Sequence, residues 1–180
     1  MRDTLARWLG EPGPPPLARD PSGRPRLLAP HQDHDTGWSH SGEQLLLALG
    51  RGVTLGVDLE RLRPRPRALE LADRFFAPGE AGRLQALAPE RRELAFLRLW
   101  CAKEAVLKAH GQGLSFGLHR LEFIPDGDDE HAPLRLLASD PELGAASDWQ
   151  LHEWIPAPGY LAALAWHPRC RSWWPQARPP

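Results

Sequence analysis

The sequence predicts an α+β protein, with helices and antiparallel strands in separate stretches. Three observations carry this. Residues 96–108, FLRLWCAKEAVLK, have the composition of a helix, with no Gly or Pro inside. Residues 53–60, VTLGVDLE, alternate as a strand does. Residues 149–155 and 160–166 alternate again on either side of PAPG, which marks a hairpin.

The remaining elements follow in order. Residues 2–9 are a short helix candidate. Residues 11–30, rich in Pro and Gly, read as a connector, with Gly23-Arg24-Pro25 placing a cation on a tight turn. HQDHD at 31–35 has metal-type residues, but no second ligand cluster lies nearby, so a polar loop is expected. Trp38-Ser39-His40-Ser41-Gly42 reads as a polar mouth before a buried strand at 45–49, and Gly50–Gly52 as the turn of a hairpin into 53–60. RLRPRPR at 61–67 is a basic connector: a docking surface for an acidic partner, or simply a solvated linker. Helices are expected at 68–76, at 78–87 and from Pro89 into the central helix, which stops at Gly111. Residues 114–124 have β character, 126–130 form an acidic turn, and 133–138 form a short strand. The tail at 168–180 is expected to be loosely ordered, with Trp173 and Trp174 covering an apolar edge.

Composition limits what the chain can do. A net charge of −1 over 180 residues supplies no field for nucleic acid or an anionic membrane. No apolar run approaches the ~20 residues of a span. Residues 1–10 lack a signal-peptide core. Cys101 and Cys170 make neither a disulfide framework nor a metal-binding one. A soluble, cytoplasmic protein is expected, with no nucleic-acid or membrane partner and no short-period repeat.

Two stretches carry candidate chemistry. On the 53–60 strand, Asp58 and Glu60 share one face, about 7 Å apart at Cα. Carboxylates so placed repel unless a cation lies between them, and an all-oxygen set suits Mg²⁺. Gly56 on that face would leave room for a ligand. The ordinary alternative is a strand end dipping into solvent. In the central helix, Lys103 and Glu104 fall inside the apolar arc of Phe96, Leu97, Leu99, Trp100, Val106 and Leu107, with Lys108 one turn beyond Glu104. Buried charges of this kind are paired or bind something. The plain alternative is a surface Glu104–Lys108 pair beside a snorkelling Lys103. Ser39, Ser41 and His40 offer hydroxyls and an imidazole to an anion, or only local turn hydrogen bonds.

Gly56-Val57-Asp58-Leu59-Glu60, followed about forty residues on by Trp100-Cys101-Ala102-Lys103-Glu104-Ala105-Val106-Leu107-Lys108, resembles the two signature motifs of the 4′-phosphopantetheinyl transferases, above all the surfactin-synthetase-activating type. Gly23-Arg24-Pro25, Trp38-Ser39-His40-Ser41, Asp73-Arg74-Phe75-Phe76 and Pro158-Gly159-Tyr160 add to the resemblance. It implies two similar α/β halves related by a pseudo-twofold, each an antiparallel-rich sheet on a long helix. Here the first half (1–61) is truncated, the second (62–168) carries the signature helix, and 169–180 is a tail. It also implies a reaction: the phosphopantetheine arm of coenzyme A passes to a serine of an apo acyl or peptidyl carrier protein, and 3′,5′-ADP leaves. In that scheme Asp58, Glu60 and Glu104 hold Mg²⁺ (Mn²⁺ as a substitute). Glu104, or a water it orients, takes the serine proton. Lys103 and Lys108 bind phosphates, and Arg24, Ser39 and His40 contact coenzyme A. Residues 111–124 meet the carrier. The chain would be a monomer, or a homodimer through an open sheet edge. The competing expectation is a non-catalytic binder of coenzyme A or carrier protein.

Overall fold

A computed structural model describes residues 1–127 and 131–169. The expected tail, with Trp173 and Trp174, and most of the acidic turn lie outside the described residues. Four helices and nine strands are present among them. They are α1 (Arg2–Leu9), β1 (Leu17–Arg19), β2 (Pro25–Leu27), β3 (His34–Ser41), β4 (Gln44–Arg51), β5 (Val53–Arg61), α2 (Ala68–Phe75), α3 (Pro78–Ala86), α4 (Pro89–His110), β6 (Leu121–Pro125), β7 (Leu134–Ser139), β8 (Gln150–Trp154) and β9 (Tyr160–Pro168). Every sheet pairing is antiparallel, so the fold class is α+β as expected.

The centre of the molecule is α4 lying on a three-stranded sheet of order β5-β9-β8. α4 begins with Pro89 in its first turn, where the missing N–H costs nothing. It ends at Gly111, whose φ of 95° is left-handed and whose N–H caps the Leu107 carbonyl. Its 22 residues make a rod about 33 Å long. The helix is buried nearly all round, because α2, α3 and β6 cover the side away from the sheet.

One contact sets the distance between helix and sheet. A Cβ on Gly56 would lie 2.2 Å from the Ala105 carbonyl oxygen and 2.3 Å from the Ala109 nitrogen. The small face continues on β9, where Ala163 and Ala165 lie opposite Asp58 and Gly56. Gly56 therefore makes room for the helix backbone. The space where its side chain would stand, expected to admit a ligand, is filled by α4.

The first sixty residues hold no long helix; α1 has eight residues. They supply two small hairpins, β1-β2 and β3-β4. The expected polar mouth at 38–42 is strand, closed by Gly42 and Glu43 onto β4. The expected hairpin of β4 with β5 is not the pairing adopted: β4 ladders with β3, and β5 with β9. Nor is β4 the buried strand that its leucines suggested, since Leu45 is 51% exposed. The β5-β9-β8 sheet crosses the boundary expected at residue 61. The β character of 114–120 resolves as two 3₁₀ turns, Gly113–Phe116 and Leu118–Arg120, before β6 starts.

Candidate active site

Three elements deliver the site. From β5, Asp58 points toward α4 and is 4% exposed. From α4, Lys108 reaches back so that its Nζ donates to Asp58 Oδ1 at 2.5 Å and to Ser39 Oγ at 2.9 Å. From β3, Ser39 Oγ donates to the same Asp58 oxygen at 3.0 Å. Asp58 Oδ2 is buried without a partner. Such an orphaned carboxylate oxygen is costly in a folded interior unless a further ligand meets it.

Glu104 stands one helical turn before Lys108. Burial first, and then the neighbouring Asp58 carboxylate with a further push from Glu60, raise its carboxyl to about 7 despite Lys108. Glu60 is raised for the same two leading reasons, burial and then Asp58. The Asp58 charge thus acts on an acid of its own strand and on one of α4. Among the described residues, however, no group of three or more His, Cys, Asp or Glu side chains is gathered closely enough to hold a metal ion. Asp58, Glu60 and Glu104 therefore do not form a closed set of ligands in this arrangement. Lys108 and Ser39 take one oxygen of Asp58, and Arg65 takes Glu60 Oε2 at 2.8 Å. These contacts already do part of a cation's work. The donor set still fits a hard divalent cation, with oxygens from Asp58, Glu60 and Glu104, one of them unpartnered, and two acids raised by burial and then by the Asp58 charge.

A cleft of about 280 Å³ opens beside this cluster. Its lining includes Lys108, Arg24, Arg19, Trp38, Gly56 and Gln112. Arg24 sits on the turn between β1 and β2, where Asp20 Oδ1 accepts from the N–H groups of Ser22 and Arg24. Arg24 is itself buried, paired with Asp35 and donating to the Leu55 carbonyl. Asp35 in turn accepts from the Leu55 N–H at 2.8 Å. This pair therefore fastens β3 to the edge of β5, and Arg24 Nη1 is left buried without a partner.

Two expected site residues lie elsewhere. Lys103 is 0% exposed and turns away from the cleft. Its Nζ meets Glu80 at 2.6 Å and donates to the carbonyls of Leu118 and Leu121 at 2.8 and 2.5 Å. All three ammonium protons are spent, so its expected role in holding phosphates is corrected. His40 is exposed and lies on the face of β3 opposite Ser39, away from the Lys108–Asp58 cluster. The HQDHD stretch holds no metal cluster either: Asp33 binds His34 and Arg51, and Asp35 binds Arg24.

Sequence reasoning missed Glu80, Arg19 and Asp35 as partners. Glu80 left a faint trace, as an acid two residues after the Pro78 helix start. Its side chain accepts from the Ala77 and Phe123 N–H groups at 3.0 and 2.8 Å. Arg19, with its guanidinium 5.7 Å from the Trp38 ring centre, left none.

Residues 54–165, from β5 to β9, match the model of the 4′-phosphopantetheinyl transferase superfamily. The chain belongs to that superfamily. It is 40% identical over 134 residues to a putative 4′-phosphopantetheinyl transferase of Synechocystis, covering 73% of this chain and 51% of that protein. It is 33% identical over 178 residues to the 4′-phosphopantetheinyl transferase HetI of Nostoc, covering 94% and 70%. With the 4′-phosphopantetheinyl transferase of Bacillus subtilis it shares 35% identity over 98 residues, covering 54% and 42%. The chain thus spans about half the length of the first of these curated relatives. Among solved structures, the ACPS–CoA complex of Chronobacterium ammoniagenes aligns with a TM-score of 0.46 at 22% identity, over 66% of this chain and 98% of that one.

Proposed function

We propose that the chain transfers the 4′-phosphopantetheine arm of coenzyme A to a serine hydroxyl of an apo acyl or peptidyl carrier protein. The observation that carries this reading is the convergence of Asp58, Ser39 and Lys108 beside a Glu104 whose carboxyl titrates near 7. Membership of the superfamily and the named activities of its relatives support it.

Each residue has a task. The cleft takes the diphosphate end of coenzyme A, with Lys108 and Arg24 in its wall as the cations. Glu104, its carboxyl raised to about 7, accepts the serine proton if Asp58 and Glu60 alone hold the cation; as a cation ligand it instead orients the water that takes that proton. The serine oxygen bonds to the phosphorus bearing the pantetheine arm, and the bond to the departing 3′,5′-ADP oxygen breaks. Lys108 stabilises charge on the leaving phosphate. Asp58, Glu60 and Glu104 would hold Mg²⁺, or Mn²⁺ in its place, and a divalent cation there offsets charge on the diphosphate oxygens. When Lys108 turns to the phosphates, Asp58 Oδ1 keeps the Ser39 hydroxyl, and Oδ2 stays open to the cation.

The test is incubation of the protein with coenzyme A, Mg²⁺ and a panel of apo carriers, read by mass spectrometry. The expected result is a carrier heavier by one phosphopantetheine arm, with the gain abolished by Glu104→Gln. Coenzyme A binding with no mass gain on any carrier would assign the chain to the non-catalytic binders instead.

A further inference from the structure

The basic connector at 61–67 joins β5, which carries Asp58 and Glu60, to α2. Its four arginines do not behave alike. Arg61, Arg63 and Arg67 are exposed, and Arg67 pairs with an equally exposed Glu70 on the surface. Arg65 turns inward, and its Nε is buried.

The local sequence explains this. Pro64 and Pro66 flank Arg65; each fixes its own φ, and a residue before proline is held in extended backbone. The Arg65 carbonyl then accepts from the Ala68 N–H at 2.9 Å, at the start of α2. The connector is a stiff bracket, with one cation turned back toward β5.

What that cation meets is Glu60. Arg65 Nη2 donates to Glu60 Oε2 at 2.8 Å, in a pair whose side chains are 22% and 21% exposed. Glu60 Oε1 accepts no hydrogen bond among the described residues. Asp58 repels this carboxylate, and Arg65 opposes that repulsion more than Arg63 or Lys108 does. A glutamate left free beside a like charge gains rotamer freedom and hydration by swinging out to water.

We propose that Arg65 is a positioning residue of the cation site: it holds Glu60 Oε2 and leaves Oε1 as the oxygen that Glu60 contributes beside Asp58 and Glu104. This rests on the reading of those three acids as holders of a divalent cation. A hydrogen-bonded partner one step removed from a metal fixes its ligand's orientation, and losing it lowers metal affinity about 10–100-fold. Arginine suits the task, because it stays charged and donates from a rigid plane.

Mn²⁺ binding, followed by electron paramagnetic resonance with no other ligand present, tests this without a carrier. Arg65→Met should weaken binding about tenfold or more, while the metal-free protein still melts cooperatively. Arg63→Met removes the same charge from the same connector without releasing Glu60, and should change binding less than about twofold. Arg65→Lys keeps the charge but not the planar donor, and should recover part of the loss. In transfer assays, saturating Mg²⁺ should restore most of the Arg65→Met rate, since the acid is misplaced and not lost. Arg65→Met binding Mn²⁺ as tightly as wild type, or more tightly, overturns the proposal. Equal losses in Arg65→Met and Arg63→Met overturn it too, because charge alone then accounts for both. If Arg65→Met does not fold, Arg65→Gln takes its place with the same expectations. A wild type that binds no Mn²⁺ sinks the cation site and this role with it, whereas one that binds Mn²⁺ yet modifies no carrier sinks only the transferase reading.

Discussion

Lys103 and Lys108 lie five positions apart on one helix and meet different partners. Lys108 keeps a partly exposed ammonium on Asp58 and Ser39, beside the cleft. Lys103 is locked into a closed set of acceptors made by Glu80, Leu118 and Leu121. Lys108→Ala should therefore lower kcat more than it raises the Kd for coenzyme A; stopped-flow transfer and calorimetry separate the two. Lys103→Met should cost about 3–5 kcal/mol in urea denaturation, because it strands a buried Glu80. Lys103→Met/Glu80→Gln should recover much of that loss. A stable, folded Lys103→Met protein that had lost coenzyme A binding would return this lysine to the phosphates.

Glu104 carries a pH signature of its own. Its carboxyl is raised from 4.5 to about 7 in the folded state. The native protein therefore binds more protons than the unfolded chain between those values. Stability from this group is full below about 4.5 and is lost as pH rises through about 7. Without divalent cations, Glu104→Gln should melt a few degrees higher than wild type at pH 8 (about 3 °C) and lose little at pH 4. Adding Mg²⁺ at pH 8 should raise the wild-type Tm and move Glu104→Gln much less. Calorimetry at the two pH values checks both.

Among the elements, the contact of α4 with β5 is the most exacting. Gly56→Ala would drive a methyl into the backbone of Ala105 and Ala109, which cannot rotate aside as a side chain would. It should destabilise the fold by about 1–3 kcal/mol or more. It should also reduce transfer in the protein that remains folded, since Asp58 and Lys108 would be pushed apart. Thermal melts and initial rates on the same sample test the two effects together. The periodic elements were legible in the sequence: α2, α3, α4 and the β8-β9 hairpin have apolar spacings that allow one reading. What escaped were the relations between elements. A run of leucines identifies a strand but cannot say that β4 lies at an edge. Alternation placed Gly56, Asp58 and Glu60 on one face but could not tell that a helix backbone would press against the first. Asp58, Ser39 and Lys108 were singled out because their motifs are local, and the structure brings the three together. Lys103 was misassigned because its acidic partner lies on another helix, where no spacing rule reaches.

Across the whole molecule, two distant segments make the central sheet. β5 pairs along its length with β9, so that Val53 lies opposite Pro168 and Asp58 opposite Ala163. The family match, 54–165, begins and ends on these two strands. The antiparallel α+β class could be read from the sequence, and the β5–β9 ladder could not, because it joins residues far apart in the chain.

That ladder also imposes a timetable. The partners are 99 to 115 residues apart, so closing them demands the largest entropic outlay among the ladders of the described residues. While the polypeptide leaves the ribosome, α4 can coil and Lys108 can be present long before its aspartate has a fixed seat. The acid is seated only when β9 arrives.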